Sequence, residues 1–314
     1  MPELPDLVHV ERVLRDAIVG HRVADARVGD PTVLRVMVPE GLPNSLRGQT
    51  LRAVERRGHF LRFGFGAERA HADDLVLVVN AMLAGKYKLL PAEQAAREKD
   101  PVALGFALRF EDGPELRFID DKRMGKVYVA RAADEQGIPV YGALGVDLLS
   151  PAFDRETFLK LARKRRDQVR MFLMDKGTLA SIGNAYADEI LFAAGLHPKT
   201  FMRQLNAEDL ERLFTAINQV LAGAIAEIER RNEPIEIKVR DFLLVRGRDG
   251  KPCQKCGTTI RAVRVGDGDS CFCPSCQPTT RRLFVDFSKL PGKDAPVPVA
   301  DGAKKPARRR RAGP

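Results

Sequence analysis

The sequence predicts an α+β protein in which a β-rich domain with one leading helix precedes a helical region and a zinc-bound β-hairpin. Three observations predict this order. Apolar residues follow helical spacing over residues 7–19, and short apolar runs separated by turn residues replace that pattern as far as residue 131. Helical spacing returns after residue 154, and two Cys-x-x-Cys pairs follow it.

The leading helix is predicted from one apolar stripe with three- and four-residue spacing. Its members are Leu7, Val10, Leu14 and Ile18. The strands are predicted from runs such as residues 75–79 and 107–110, and the Glu-Asp-Gly-Pro sequence at 111–114 is typical of a hairpin connection into residues 116–119. We therefore assign residues 1–131 to an N-terminal β domain.

A Gly- and Pro-containing linker is predicted over residues 132–151, before a basic helical segment. The core candidates of this helical segment are Phe158, Leu161, Ala162, Val169, Phe172 and Leu173. Six Lys and Arg residues between positions 160 and 170 make the segment strongly basic, so we expect it, including Arg170, to face phosphate. A last helix is predicted to begin after Asn206, a good N-cap with Asp209 three residues later.

Length and charge favour a two-domain protein with a polyanionic partner. The chain has 314 residues, a formal net charge of +10 and an isoelectric point near 9.5. It contains no apolar run long enough to cross a bilayer and no signal-peptide pattern at its start. Residues 288–314 hold eight Lys and Arg against two Asp, and we expect them to form a disordered basic tail.

Four of the five cysteines have the spacing of a structural zinc site. Cys253 and Cys256 form one Cys-x-x-Cys pair, and Cys273 and Cys276 form the second after sixteen residues. Four thiolates close a tetrahedral Zn²⁺ site and leave no open position for catalysis. This usage favours a reducing compartment, and Cys271 is expected to be a small filler.

The first residues of the chain offer an amine and a carboxylate for covalent chemistry. Once Met1 is removed, Pro2 carries a secondary amine with an expected pKa of about 8. Such an amine attacks an aldehyde-level carbon and forms an iminium, which acts as an electron sink. Glu3 is placed to move protons at the same centre.

A second motif lies in residues 181–198, where Gly183-Asn184 falls at the entry to a helix. A helix start presents backbone N–H groups, and here also the Asn184 amide, to an anion. Taken alone, Gly-Asn is also an ordinary turn.

Together these motifs resemble the formamidopyrimidine-DNA glycosylase and endonuclease VIII family over roughly residues 2 to 287. The family's Pro-Glu-Leu-Pro start is intact at residues 2–5, and its helix–two-turn–helix signature is matched from Met174 to Glu189. Its zinc finger is matched from Arg246 to Gln277. The resemblance implies an N-terminal β-sandwich, a helix–two-turn–helix domain over residues 152–245 and a zinc finger over residues 246–287.

The resemblance also implies a function. Pro2 would be the nucleophile on C1′ of a damaged nucleotide, Glu3 the proton shuttle and Asn184 a phosphate ligand. The protein would be a bifunctional DNA glycosylase and abasic-site lyase of base excision repair, which cleaves the strand by β- and δ-elimination. We expect one structural Zn²⁺, a double-stranded DNA partner with damaged bases or abasic sites, and a monomer in the bacterial cytoplasm, associated with the nucleoid.

Several positions depart from the family pattern. His59 replaces a lysine, and we expect it to titrate near its ordinary pKa of about 6.5 and to make the lyase reaction pH-dependent. Gly268 replaces the arginine of the zinc hairpin, so Arg261 or Arg264 is expected to compensate. The resemblance places the residues that fill the gap left by the extruded base at Leu83, Lys122 and Met124.

Two alternatives follow from these departures. The intact Pro2 and Glu3 favour an active enzyme, whereas His59 and Gly268 leave room for a damaged-DNA-binding member that is catalytically weak or inactive. The segment between the last helix and the zinc finger, residues 233–245, is short and apolar and is expected to be packed. A site without a mobile lid should favour oxidised pyrimidines, ring-opened or further-oxidised guanines and abasic sites over 8-oxoguanine.

Overall fold

The computed structural model describes residues 2–66, 71 and 73–279. The predicted basic tail lies outside the described residues. Within them, no helix is long and apolar enough to cross a membrane.

The leading helix α1 spans Leu4–Ile18 and so begins three residues before the predicted start at residue 7. The difference has a local cause, because Pro5 suits the first turn of a helix and the Asp6 carboxylate accepts a hydrogen bond of 2.7 Å from the Glu3 N–H. Leu7, Leu14 and Ile18 are at most 1% exposed, as the apolar stripe predicts. This start places Pro2 and Glu3 immediately ahead of a rigid helix.

The N-terminal domain is a sandwich of two sheets. Its helices and strands are β1 (Val23–Val28), β2 (Leu34–Val36), α2 (Gly41–Leu46), β3 (Leu51–Arg57), β4 (Phe60–Phe65), β5 (Leu75–Asn80), β6 (Lys86–Leu90), α3 (Ala92–Arg97), β7 (Leu104–Phe110), β8 (Glu115–Ile119) and β9 (Lys126–Arg131). One sheet has the order β1-β7-β8-β6 and the other β2-β9-β5-β4-β3. A single buried core joins side chains of both sheets with the apolar face of α1.

The second domain is helical. Its elements are β10 (Val146–Asp147), α4 (Arg155–Arg163), α5 (Val169–Met174), β11 (Leu179–Ala180), α6 (Asn184–Ala194) and α7 (Ala207–Arg231). The prediction for α7 is confirmed, since Asn206 caps it by accepting a hydrogen bond of 2.8 Å from the Asp209 N–H. The helix–two-turn–helix unit consists of α5, the turns around β11, and α6.

The basic segment forms two helices rather than the one predicted. Between α4 and α5 the chain leaves helical geometry, because Gln168 bridges to Phe201 and the Val169 N–H donates to Thr200 O at 2.8 Å. The Arg165 side chain pairs with Asp167 and Asp175 in this break instead of facing solvent alone. Tertiary contacts therefore override the helical spacing of the sequence.

The zinc region forms the predicted hairpin from β12 (Arg261–Val265) and β13 (Gly268–Phe272). The fully buried Asp188 of α6 holds it by accepting hydrogen bonds from Ser270 Oγ at 2.6 Å and from Cys271 N at 2.9 Å. The hairpin is thus fixed directly against the helix that follows the Gly183-Asn184 turn.

Candidate reaction centre and nucleic-acid interface

The Glu3 carboxylate occupies the N-terminus of α6. Its two oxygens accept hydrogen bonds from Ala185 N at 3.0 Å and Tyr186 N at 3.2 Å, and the residue is only 6% exposed. The sequence predicted that this turn presents N–H groups to an anion, and in the structure the carboxyl group of Glu3 accepts from two of them. Burial raises the pKa of Glu3, while the two backbone amides oppose the rise. A carboxyl group with a raised pKa is suited to donate a proton.

Gly183 is required by the close approach of Glu3. A Cβ atom at position 183 would lie 2.4 Å from Glu3 Cδ and 2.7 Å from its Cγ. Because both carboxylate oxygens are fixed by α6, Glu3 has little freedom to move away. The glycine of the Gly-Asn turn therefore makes room for the carboxylate.

Pro2 lines a small cavity between α1 and the segment 233–245. The other walls include Tyr87, Ile235 and Lys238, and the volume is about 10 Å³. The fully buried Tyr87 hydroxyl has no hydrogen-bond partner in the described part of the chain. A cavity of this size holds one water molecule at most, so a base must enter from outside it or widen it.

The segment 233–245 is held at three places, although not every apolar residue in it is packed. Glu233 O bonds to His9 Nε2 at 2.9 Å, Arg240 forms an ion pair with Asp6, and Glu189 accepts hydrogen bonds of 2.9 Å from the N–H groups of residues 244–246. Ile235 and Val239 are buried as predicted. The prediction is wrong for Ile237 and Leu244, which are 53% and 40% exposed because their side chains face away from both domains' cores.

The sequence led us to expect that His59 titrates near neutrality, and this prediction is wrong. It is 4% exposed, and burial together with the nearby Lys176 lowers its pKa to about 3. Its Nδ1 atom has no hydrogen-bond partner among the described residues. At neutral pH, His59 is therefore an uncharged side chain and does not supply the positive charge of the lysine that it replaces.

Lys176 brings a positive charge to this centre that the sequence analysis missed. It lies in the turn after α5, close enough to Glu3 and His59 for their charges to interact. Burial lowers its pKa, and the Glu3 carboxylate partly restores it. The only sequence signal was its place inside the helix–two-turn–helix signature, since its contacts come from residues more than a hundred positions away.

Asn184 and Arg170 lie together under the hairpin. The half-buried Asn184 begins α6, and its Oδ1 accepts a hydrogen bond of 2.5 Å from Arg170 Nη2. Arg170 itself is 1% exposed. The expectation that Arg170 belongs to an open phosphate-facing surface is therefore wrong, because its side chain turns inward toward α6 and the hairpin.

The three gap-filling candidates lie on two turns at the same end of β5 and β9, two interior strands of the five-stranded sheet. Leu83 follows β5, while Lys122 and Met124 precede β9, and Asn80 of β5 pairs with Lys126 of β9. All three are exposed, with Leu83 at 58% and Met124 at 44%. Two large apolar side chains thus project together from adjacent turns, which suits insertion into a base stack.

Arg264, the other DNA-binding candidate, is exposed on β12 opposite Asp269, and Arg261 is exposed on the same strand. Both are free to reach a phosphate. The cation nearest to a Cβ at position 268 is instead Arg170, with its terminal nitrogens at 3.8 Å and 3.9 Å.

The four cysteines fit a tetrahedral zinc site. The Sγ atoms of Cys253, Cys256, Cys273 and Cys276 all lie within 4.8 Å of one another. Cys256 Sγ lies 3.5 Å from both Cys273 Sγ and Cys276 Sγ, which is too far for a disulfide and close to the sulfur–sulfur spacing of about 3.8 Å that Zn–S bonds of 2.3 Å impose. The fifth cysteine, Cys271, packs in the adjoining small core as expected.

Three family models match consecutive parts of the chain. Residues 1–127 match the formamidopyrimidine-DNA glycosylase N-terminal domain, and residues 144–232 match the H2TH domain of the same glycosylase. Residues 250–279 match a zinc finger found in FPG and IleRS. The predicted resemblance, fold class and zinc finger are confirmed.

Whole-chain relatives agree with these models. The formamidopyrimidine-DNA glycosylase of Alkalilimnicola ehrlichii is 34% identical over 292 residues, covering 88% of this chain and 100% of the relative. That of Moorella thermoacetica is 34% identical over 273 residues, covering 84% and 95%. Each relative is thus matched over nearly its full length.

Solved structures with DNA share the fold. The complex of Lactococcus lactis Fpg with DNA containing an oxidised pyrimidine has a TM-score of 0.78 and 26% identity, covering 88% of this chain and all of that one. A complex of MutM with DNA containing carbocyclic 8-oxo-G has a TM-score of 0.76, 26% identity and the same coverage.

The depressed pKa of His59 predicts a pH-dependent loss of stability. The unfolded chain binds a proton at His59 near pH 6.5, and the folded protein resists it until about pH 3. Stability should therefore be lost as the pH falls through this window. We expect the wild-type protein to lose about 2 kcal/mol more than His59→Gln between pH 6.5 and 4.5, measured by denaturant unfolding.

The matched control is His71→Gln, since the His71 side chain is 73% exposed. This variant should follow the wild-type pH curve. Parallel curves for wild type and His59→Gln would show that His59 is not held in its neutral form.

Proposed function

The chain belongs to the formamidopyrimidine-DNA glycosylase family, and we propose that it is a DNA glycosylase of base excision repair that also cleaves the strand at the abasic site. The observation that carries the proposal is the joint placement of Pro2 and Glu3. Pro2 lies beside a cavity at the start of α1, and the Glu3 side chain is fixed by the first amides of α6. Positioning of this kind supplies much of the rate acceleration in enzymes.

The first chemical step is displacement at C1′ of the damaged nucleotide. The Pro2 nitrogen donates its electron pair to form a bond to C1′, the bond from C1′ to the base breaks, and the base leaves with the electron pair of the broken bond and takes up a proton. Loss of the Pro2 N–H proton and opening of the C1′–O4′ bond give the iminium. Glu3, with its raised pKa, donates the proton that O4′ requires.

Strand cleavage then uses the iminium as an electron sink. Removal of a C2′ proton expels the 3′ phosphate, and a second elimination through C4′ expels the 5′ phosphate. Water finally hydrolyses the iminium and frees Pro2. Lys176 contributes a positive charge near Glu3 that the neutral His59 does not provide, and this charge favours the carboxylate form after proton transfer.

The DNA is double-stranded and carries a damaged base or an abasic site. The damaged nucleotide must leave the stack before its C1′ reaches Pro2. Leu83 and Met124 are suited to fill the gap that results, and Lys122 and Arg264 to approach the backbone. We infer that the protein acts as a monomer in the bacterial cytoplasm, on DNA of the nucleoid.

The four cysteines would hold one Zn²⁺. When bound, the ion joins the two ends of the β12–β13 hairpin and supplies folding free energy rather than catalysis. The hairpin is then rigid, and Asp188 sets its position against α6.

Covalent trapping tests the function. Borohydride should reduce the iminium and join the protein to abasic-site DNA, and the adduct should map to Pro2 by mass spectrometry. Pro2→Gly and a form that retains Met1 should lose it. Lys176 is the structure's competing amine, because its lowered pKa makes it more nucleophilic than an ordinary lysine.

Lys176→Arg is therefore the control, and it should still be trapped through Pro2. An adduct on Lys176 would replace the proposed nucleophile. Absence of any adduct, together with tight binding to abasic-site DNA, would favour the alternative of a catalytically inactive damaged-DNA-binding protein.

Gly183→Ala should separate catalysis from binding. The new Cβ would meet Glu3 Cδ at 2.4 Å and push the carboxylate away from the α6 amides. Since misplacement by about 1 Å costs about 100-fold in rate, single-turnover base excision should fall by about that factor. Affinity for a duplex with a tetrahydrofuran abasic-site analogue should change much less.

Gly223→Ala in α7 is the matched control, because no heavy atom lies within 4 Å of a Cβ at that position. It should keep full activity and gain about 0.8 kcal/mol of stability from its helix propensity. Equal activity of the two alanine variants would show that the position of Glu3 does not limit catalysis.

The fixed segment 233–245 predicts the lesion preference. It is anchored to α1 through His9 and Asp6 and to α6 through Glu189, and it leaves only a small cavity beside Pro2. We expect single-turnover excision of 8-oxoguanine opposite cytosine to be about tenfold slower than that of oxidised pyrimidines in matched duplexes. Equal rates would show that the segment does not restrict the base.

A further inference from the structure

The tip of the zinc hairpin carries no basic residue. Gly266, Asp267, Gly268 and Asp269 form it, and both aspartates are exposed. The resemblance places a phosphate-binding arginine at position 268, where this chain has glycine. A hairpin tip with two carboxylates repels phosphate, so binding at this point needs a cation from elsewhere.

Arg170 lies beside the glycine. A Cβ atom at position 268 would be 3.8 Å and 3.9 Å from the two terminal nitrogens of Arg170 and 3.5 Å from Asn184 Oδ1. The Arg170 guanidinium therefore lies less than 4 Å from the position at which the Cβ atom of a hairpin arginine would lie. It reaches this place from below the hairpin, through the protein interior.

The contacts of Arg170 fix its position. Besides Asn184 Oδ1, its guanidinium donates to Asp269 O at 3.2 Å, to Val265 O at 3.4 Å and to Asp188 Oδ1 at 3.4 Å. The two carbonyl groups belong to opposite strands of the hairpin next to its tip. Arg170 thus ties the tip, the start of α6 and a buried carboxylate together.

This arrangement decides which way the Asn184 amide faces. Arginine has five N–H donors and no acceptor, so the Asn184 atom against it must be the carbonyl oxygen. The Asn184 Nδ2 is then directed to the other side of the amide plane, where it can donate to an anion. Without Arg170, the amide would be free to rotate and to present its oxygen, which repels phosphate.

The charges of the cluster also favour an anion. Asp188 is fully buried and pairs with two guanidiniums, those of Arg170 at 3.4 Å and Arg246 at 2.9 Å. Two guanidiniums against one carboxylate leave the cluster of Asp188, Arg170 and Arg246 with one positive charge beside Asn184. In a partly buried site, that charge acts on a nearby phosphate with less screening than a surface lysine would.

We propose that Arg170 takes the place of the missing hairpin arginine, by holding the Asn184 amide with Nδ2 toward the phosphate beside the lesion and by supplying the positive charge behind it. Arg170 is then a positioning residue that acts through Asn184. The inference rests on the proposed function, and it replaces Arg261 and Arg264 as the compensating residues.

The test is binding to a duplex with a tetrahydrofuran abasic-site analogue, measured by fluorescence anisotropy beside an undamaged duplex. Asn184→Asp keeps the oxygen that Arg170 bonds but removes the donor, so the protein should stay folded and bind about tenfold more weakly or worse. Arg170→Gln should weaken binding by a similar factor. In an Asn184→Ala background, however, Arg170→Gln should weaken binding by less than about threefold further, because the two residues act as a unit.

Rescue provides the decisive arm. Gly268 does not have a positive φ, and its added Cβ meets only ordinary contacts, so Gly268→Arg is tolerated by the backbone. In the Arg170→Gln background, Gly268→Arg should restore binding to within about threefold of wild type. Arg166→Gln is the matched control, since it removes the same charge from an exposed position four residues away. Its effect on binding should be the same with or without Asn184→Ala.

Zinc content and unfolding temperature show whether each variant keeps its hairpin. If Arg170→Gln loses zinc, Asn184→Asp alone decides, and wild-type affinity in that variant would overturn the proposal. Additive effects of Arg170→Gln and Asn184→Ala, or no rescue by Gly268→Arg, would also overturn it. If the wild-type protein shows no preference for the abasic analogue over undamaged duplex, the proposed function is overturned instead. The same variants on undamaged duplex would still decide whether Arg170 and Asn184 are coupled.

Discussion

The hydrogen bonds between the Glu3 carboxylate and the first amides of α6 join the two ends of the reaction centre. Pro2 and Glu3 come from the start of the β domain, whereas α6 belongs to the helical domain. A buried carboxylate is expensive unless its oxygens are satisfied, and a helix N-terminus satisfies them with amides that have no other partner. These bonds therefore fix Glu3 while its burial keeps the pKa raised, and both properties suit the proton transfer that we propose.

Because α6 receives Glu3 at its first turn, everything else that α6 holds is placed relative to Pro2, the nucleophile that we propose. Asp188 holds the zinc hairpin, and Glu189 accepts the N–H groups of residues 244–246, which end the segment beside Pro2. Both carboxylates are buried and fully engaged, so each is a rigid connection. One helix of eleven residues thus sets the position of Glu3, the hairpin and the wall of the cavity.

The sequence was informative wherever the determining contacts are local. The cap at Asn206 and the hairpin between the cysteine pairs depend on residues a few positions apart, and both are found where they were predicted. It was uninformative where distant residues decide. The pKa of His59 depends on its burial and on Lys176, and the inward turn of Arg170 depends on Asp188 and the hairpin carbonyls. Neither could follow from spacing.

The two basic positions that this chain lacks have a common structural answer. His59 leaves the β domain without its lysine, and Gly268 leaves the hairpin without its arginine. Lys176 and Arg170 supply positive charge near those two places, and both come from α5 and the turn that follows it. Arg170 is buried and bonded to Asn184 of α6, and Lys176 is half-buried in the turn after α5, so neither charge is carried on a strand end or a hairpin tip. Such a site gives up the reach of an exposed side chain and gains a fixed position, which matters most for a phosphate that must be held while C1′ is attacked.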